Sequence, residues 1–272
     1  MGELTVRRLH VDLAAPIARH WCGGDAFRTA LFNALSMSFP VGEQFFIDAV
    51  RAGMAVLPQE ARARFEAEAR GFIGQEATHR RIHALFNAHL ARQGLDNAWE
   101  RRGVARFAAM KDLDARHKLG ITAATEHITA ILSEWALAHP EASASDDPRL
   151  TRMWHWHFCE EIEHKATTID LYRAIGGNHA WRVRYFRTLS AYFLADLARQ
   201  TWSNLWRDGS WWRPSTWASA WALLFGRFGL VRALIGPWRA YLREDFHPSQ
   251  LESGRHAAWL AAHPDAYSRV SP

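Results

Sequence analysis

The sequence predicts an all-α fold built from long helices. Three observations carry that reading. Alternating β-branched runs bounded by hairpin turns are missing, while Ala, Leu, Arg and Glu dominate. Helical stretches of roughly 25–30 residues lie between Pro, Gly and polar breaks, a length that suits a bundle. Glu and His recur at helical spacing. With 49% hydrophobic and 22% charged residues, the 272-residue chain can bury a sizeable core, which excludes a mainly disordered protein.

The elements follow in order. Asp25 caps a first helix beginning Ala-Phe-Arg-Thr-Ala-Leu-Phe, and Pro40 restarts or kinks it just before Glu43. Pro58 opens a second helix running to about Gln93, and Gly94–Lys111 reads as a crossover with a short helix of its own. A third helix covers Asp112–Ala138. His139–Pro148 is a loop, and a fourth helix runs from Arg149 to Ile175, ending at Gly176-Gly177. Further helices are expected at 179–205, 215–235 and 237–244, broken by Pro214, Gly236 and Pro237, before a surface tail of about twenty residues. Residues 1–177 form the metal-binding bundle in this reading, and 178–272 a Trp-rich helical extension packed on it.

Composition narrows the function classes. Two cysteines, Cys22 and Cys159, cannot staple a chain this long and fit a reducing compartment. His10 and Asp12 interrupt any apolar core after Arg7 and Arg8, so no secretory signal is read. The longest charge-free runs, Thr29–Gly42 (14 residues) and Pro214–Gly226 (13 residues), are too short for an ordinary transmembrane helix. The expectation is a cytoplasmic protein, soluble or peripheral to the inner face of the membrane. A net charge of +5 gives a mildly basic surface, but no nucleic-acid motif sharpens it.

The chemistry lies in a pattern that occurs twice. Glu43 is followed by Glu76-Ala-Thr-His79, and Glu126 by Glu161-Ile-Glu-His164, the second set displaced by 83, 85 and 85 residues. Residues three apart share a helix face, so each carboxylate and imidazole can converge on one ion. One Glu from each of two helices and a Glu-x-x-His from each of two others is the arrangement of a ferritin-like four-helix bundle with two metal ions. Four Glu side chains pointing into one core would repel; two divalent ions would neutralise them. His157 stands in the Glu161/His164 stripe and is read as a seventh ligand. His83, four after His79, is expected to act on a ligand rather than to be one. His127 and His155 are read as structural, Glu160 and Glu163 as lying behind the ligands or on the surface, and Cys159 as pointing away. Carboxylate-rich ligation favours iron, then manganese, over zinc.

The stretches Asn33-Ala-Leu-Ser-Met-Ser-Phe-Pro-Val-Gly-Glu43-Gln-Phe-Phe, Gly74-Gln-Glu76-Ala-Thr-His79 and Trp156-His157-Phe-Cys-Glu-Glu161-Ile-Glu-His164-Lys resemble a bacterial family labelled "predicted metal-dependent hydrolase". The resemblance runs through Phe246-His247-Pro248, where Ser249 replaces the aromatic residue that often follows in that family. It implies a hydrolase. The His157/Glu161/His164 spacing is also similar to that of arylamine N-oxygenases, which implies oxygen chemistry at two irons.

Eight of the 14 Trp residues lie from Trp202 onward, among seven Arg and one acidic residue between Arg199 and Arg243. The first expectation is that these indoles pack extra helices onto the bundle; the second is peripheral membrane contact. The function expected from the residues is a diiron oxidase or oxygenase using O2 and an electron donor on a small lipophilic substrate, with a homodimer allowed. A metal-dependent hydrolase with a dinuclear site is the alternative, and a non-catalytic iron-binding protein the third.

Overall fold

Asp25 starts the first long helix, α1 (Ala26–Val56), by accepting a hydrogen bond from the backbone N–H of Arg28. In the computed structural model, which describes residues 4–251 and 253–270, helices account for nearly all regular structure and the fold is all-α. Pro40 lies inside α1 rather than ending it. After a short turn, α2 (Gln59–Arg92) runs back along α1. The crossover carries α3 (Ala98–Ala109), capped by Asn97, and α4 (Ala115–Ala138) begins at the cap Asp114. Next come α5 (Pro148–Glu163) and α6 (Thr167–Ala174). Of these, α4 packs against α1, α5 and α6, while α6 closes against α1 and α2, so the elements that carry the Glu and His pattern surround one interior.

The expected continuous fourth helix is interrupted at His164–Ala166. No Gly or Pro stands there. The interruption coincides with His164, whose ring is held between Glu126 and Glu76, so a tertiary constraint overrides local propensity.

Beyond this core, α7 (His179–Asp208) lies on α1 and α4. It ends at Gly209, whose φ of +72° is a left-handed conformation that glycine adopts without a Cβ penalty. Two short helices follow: α8 (Pro214–Phe225) against α1 and α9 (Leu230–Ala240) against α4. They differ from the expected spans 215–235 and 237–244. The break falls at 226–229, where two glycines flank Arg227 and Phe228, and Pro237 sits inside α9. The tail is more than a surface segment: α10 (Arg255–Ala262) packs on α5, and β2 (Tyr267–Arg269) pairs antiparallel with β1 (Arg7–Leu9). Strands this short, far apart in sequence, leave no periodicity to read.

The tryptophans also depart from the first expectation. Trp238 and Trp259 pack inward, but Trp202, Trp206, Trp211, Trp212, Trp217 and Trp221 are exposed. By length and composition, Pro214–Ala240 is apolar enough to cross a membrane, although the helix breaks within it.

Candidate metal centre

Each element delivers its donors to one buried place. Glu43 comes from α1, Glu76, His79 and His83 from α2, Glu126 from α4, His157 and Glu161 from α5, and His164 from the residue that caps α5. All eight side chains are buried. Glu76, His79, Glu161 and His164 each bring a donor atom to within 4.8 Å of one another, and so do Glu43, His79 and His157. These two groups share His79 and cut across the two halves of the sequence pattern.

Buried polar atoms ordinarily find hydrogen-bond partners, yet many here do not. Both carboxylate oxygens of Glu43 and of Glu76, Oε1 of Glu126, Oε2 of Glu161, Nδ1 of His79 and Nε2 of His164 have none. His79 Nδ1 lies 3.4 Å from Glu161 Oε1 and His164 Nε2 lies 3.2 Å from Glu76 Oε1, close enough to attract but misdirected for hydrogen bonds. Four carboxylates and two imidazoles whose inward atoms lack hydrogen-bond partners fit a pair of divalent cations.

Pro40 shapes one wall. Lacking an N–H, it leaves the Ser36 carbonyl without its helical donor, and Asn87 Nδ2 fills that place at 2.9 Å. Because a carbonyl only accepts, the Asn87 amide is oriented, and its Oδ1 accepts from Ser36 Oγ at 2.8 Å. Having used its proton there, Ser36 Oγ must accept from His83 Nδ1 at 2.8 Å. Burial holds His83 well below its usual range and pushes His157 down to about 3, so both rings are neutral. A neutral His83 protonated on Nδ1 has a bare Nε2, which accepts from His157 Nδ1 at 3.3 Å. His157 therefore presents an unprotonated Nε2 to Glu161 Oε1, 3.6 Å away. Two lone-pair atoms facing each other in a buried place is the arrangement a cation relieves.

The cluster's protons follow the same logic. Burial, reinforced by neighbouring carboxylates, holds Glu43 and Glu76 well above the carboxylate range. Burial also pushes Glu126 up to about 7, although His164 opposes it. Burial opposes charge on His79, but Glu160 and Glu161 outweigh it and carry the ring up to about 10. His164 is raised in the same way, burial being outweighed by Glu126. Glu161 is the exception: burial would raise it, yet the charged rings of His79 and His164 hold it below the usual range. Without a metal, protons do the neutralising.

Behind His79 lies a layer that helical spacing left undecided. Glu160, fully buried, bonds His79 Nε2 at 3.0 Å, leaving Nδ1 facing the cluster. Arg7 of β1 bonds Glu160 at 3.1 Å and forks onto Glu163 at 2.6 and 2.8 Å. Burial acts against the guanidinium charge, and the two carboxylates outweigh it. The N-terminal segment reaches this position because α2 is bare beneath it: a Cβ on Gly71 would meet the Leu4 carbonyl oxygen at 2.7 Å. No local sequence signal marks Arg7 for this role. His127 and His155 lie outside both groups of donors: His127 Nε2 donates to the Pro237 carbonyl at 3.1 Å, and His155 lies beside Ser143. Cys159 is buried and outside both groups of donors.

With that geometry in view, comparison with known proteins gives one result: a family model described as "predicted metal-dependent hydrolase" matches residues 5–252. The chain belongs to that family. No curated protein and no solved structure matches. The match includes all the donors above, together with Arg7, Ser36, Asn87 and Glu160.

Family membership directs attention to where a substrate could reach the centre. A cavity of about 540 Å³ opens between α1, α3, α4 and α7, and Glu43 and Glu161 are part of its wall. Phe39, Phe46, Trp99, Phe107, Leu189 and Phe193 make most of the rest apolar. Phe39 also stacks on His157 at 4.7 Å between ring centroids, so one side chain touches both the cavity and the donor cluster. The cavity depends on α3 and α7 folding over the donor helices, which pattern reading of single helices does not supply.

Proposed function

We propose that the cluster holds two divalent metal ions and that the chain is a metal-dependent enzyme acting on a small, largely apolar molecule in the adjoining cavity. The observation that carries this reading is the set of inward-facing, hydrogen-bond-free carboxylate and imidazole atoms at the wall of an apolar cavity. Glu43, Glu76 and His79 would hold one ion and Glu126, Glu161 and His164 the other, with Glu76 and Glu161 between them and His157 as a seventh ligand. The way α1, α2, α4 and α5–α6 surround the donors supports a ferritin-like bundle.

Hydrolysis is the reaction class that family membership supports. Bound divalent ions supply a Lewis acid and an activated water at neutral pH. The chain's own groups do the rest. The aromatic wall binds the apolar part of the substrate and excludes bulk water. Glu43 and Glu161 sit where the cavity meets the cluster, so a scissile bond held there lies beside carboxylates able to take up a proton. Ser36, His83 and Asn87 hold His157 in one tautomer.

A second reading, oxidation of the substrate at two irons, is favoured by the donor set: four carboxylates, three imidazoles and no thiolate suit iron better than zinc. Metal analysis should find about two ions per chain, and Glu161→Ala should lose most of them. Oxygen uptake by the reduced, iron-loaded protein separates the readings. A hydrolase cleaves ester or amide substrates without consuming O2, whereas substrate-dependent uptake would exclude hydrolysis as its reaction.

A further inference from the structure

The helices after α7 do something the centre does not require. On α8, Thr216 and Ala220 are buried, while Trp217, Trp221 and Phe225 form a row at i, i+4 and i+8 and are 45%, 68% and 53% exposed. On α9 no residue is fully buried; Leu230 and Leu234 lean on the core while Val231 and Ile235 face outward. Phe228 between the helices is 60% exposed. Beside them, Trp202, Trp206 and Trp211 form an exposed ring cluster, Trp206 stacking on Trp211 at 5.0 Å. Trp217 is tied to it by its indole N–H, which donates to the Trp211 carbonyl at 2.7 Å. Monomeric proteins rarely expose apolar surface so continuously.

The charges name the partner. From Trp211 to Tyr241 there are four Arg and no Asp, Glu or Lys. Among the described residues, Arg213, Arg227, Arg232 and Arg239 lie within ion-pair reach of no carboxylate, whereas Arg207, just before them, pairs with Asp96. Indoles with unpaired guanidinium groups on short amphipathic helices fit the boundary between acyl chains and anionic headgroups. A span is the poorer fit. At about 1.5 Å per residue, the 12 residues of α8 and the 11 of α9 reach about 18 and 17 Å, against a hydrocarbon core of about 30 Å.

We propose that α8, α9 and the end of α7 form a surface that lies on an anionic lipid bilayer, with Trp212, Trp221, Phe225 and Phe228 entering the interface and Arg227, Arg232 and Arg239 meeting headgroup phosphates. The surface is separate from the donor cluster, so the test needs no metal and no turnover. The purified full chain is floated with phosphatidylcholine vesicles and with mixed phosphatidylcholine–phosphatidylglycerol vesicles. Binding to the mixed vesicles, about tenfold or more above that to phosphatidylcholine alone and weakened by salt, is expected. Brominated acyl chains should quench the Trp fluorescence, and Trp221→Ser with Phe225→Ser should lower binding about tenfold with an unchanged circular dichroism spectrum. The pair Arg232→Glu and Arg239→Glu changes only exposed groups and should abolish the preference for anionic vesicles. No flotation with mixed vesicles, or flotation of both double variants equal to that of the wild type, would overturn the proposal. So would light scattering that shows a dimer dissociated by the Trp221→Ser/Phe225→Ser pair, which would assign the surface to a second copy of the chain.

Discussion

Replacing Glu126 by Gln should stabilise the metal-free protein and destabilise the metal-loaded one. In the fold without metal, burial raises the Glu126 carboxyl from an ordinary 4.5 to about 7. A carboxyl whose folded value lies above its unfolded value contributes fully below about 4.5, and that contribution is lost as pH rises through about 7. At 1.36 kcal/mol per pKa unit, the metal-free wild type at pH 8 carries a penalty of about 3 kcal/mol from this group. Gln is neutral at every pH and escapes it. The bond from His164 Nδ1 to Glu126 Oε2 at 2.9 Å opposes the rise and is already contained in that value, so it needs no separate subtraction. The expected net gain is about 3 kcal/mol at pH 8, or roughly 6–12 °C in melting temperature, shrinking below about 1 kcal/mol at pH 5. With metal bound, the ligation proposed above reverses the order, because Glu126 would be one of the charged ligands. The assay is thermal unfolding after chelation and again after loading, at both pH values. If chelated Glu126→Gln melted below chelated wild type at pH 8, or gained as much at pH 5 as at pH 8, the assignment of Glu126 to a proton-compensated metal cluster would be wrong.

Four other outcomes follow from the same structure. Loading metal at pH 7 should release protons into weakly buffered solution, because Glu43, Glu76, His79 and His164 are all held toward their protonated forms; affinity should therefore rise with pH, as titration calorimetry in two buffers can read. Arg7→Met removes the guanidinium partner of buried Glu160, leaving it only His79, and should cost about 3–5 kcal/mol by denaturant titration. Leu189→Trp should fill the cavity and abolish binding of a fluorescent apolar probe while leaving metal content unchanged. Ser36→Ala removes the hydroxyl that orients His83; ¹⁵N shifts of the metal-free protein should then show His157 in mixed tautomers, with metal affinity lower by about 10–100-fold and recovered in Ser36→Thr.

What was legible in the sequence was whatever helical spacing encodes. Glu43, Glu76, His79, Glu126, His157, Glu161 and His164 could be found because residues three, four and seven apart share a face, and one repeat of the pattern supported the other. Spacing places His83 one turn beyond His79, and the fold brings it to 3.3 Å from His157 Nδ1. Pro40 announced a disturbance, but which carbonyl it would free, and that Asn87 would fill the gap, depends on how α1 lies against α2. Arg7 and Glu160 meet across the fold, and a three-residue strand carries no periodicity. The break at His164 was hidden for the opposite reason: the local sequence favours a helix, and only the convergence of Glu76 and Glu126 interrupts it. Which way the late indoles face is not legible in the sequence, because composition records how many Trp residues there are, not their orientation.

The pairing of β1 with β2 bears on how this molecule is made. Arg7 stands opposite Arg269 in that small sheet. On a ribosome, the strand bearing Arg7 waits until the distant segment Tyr267–Arg269 has emerged before its neighbour exists. The guanidinium that steadies Glu160, and through it His79, thus gains its final support only once β2 has been made. An unfinished chain could assemble the inner donors and still lack the clasp that holds one of them in line.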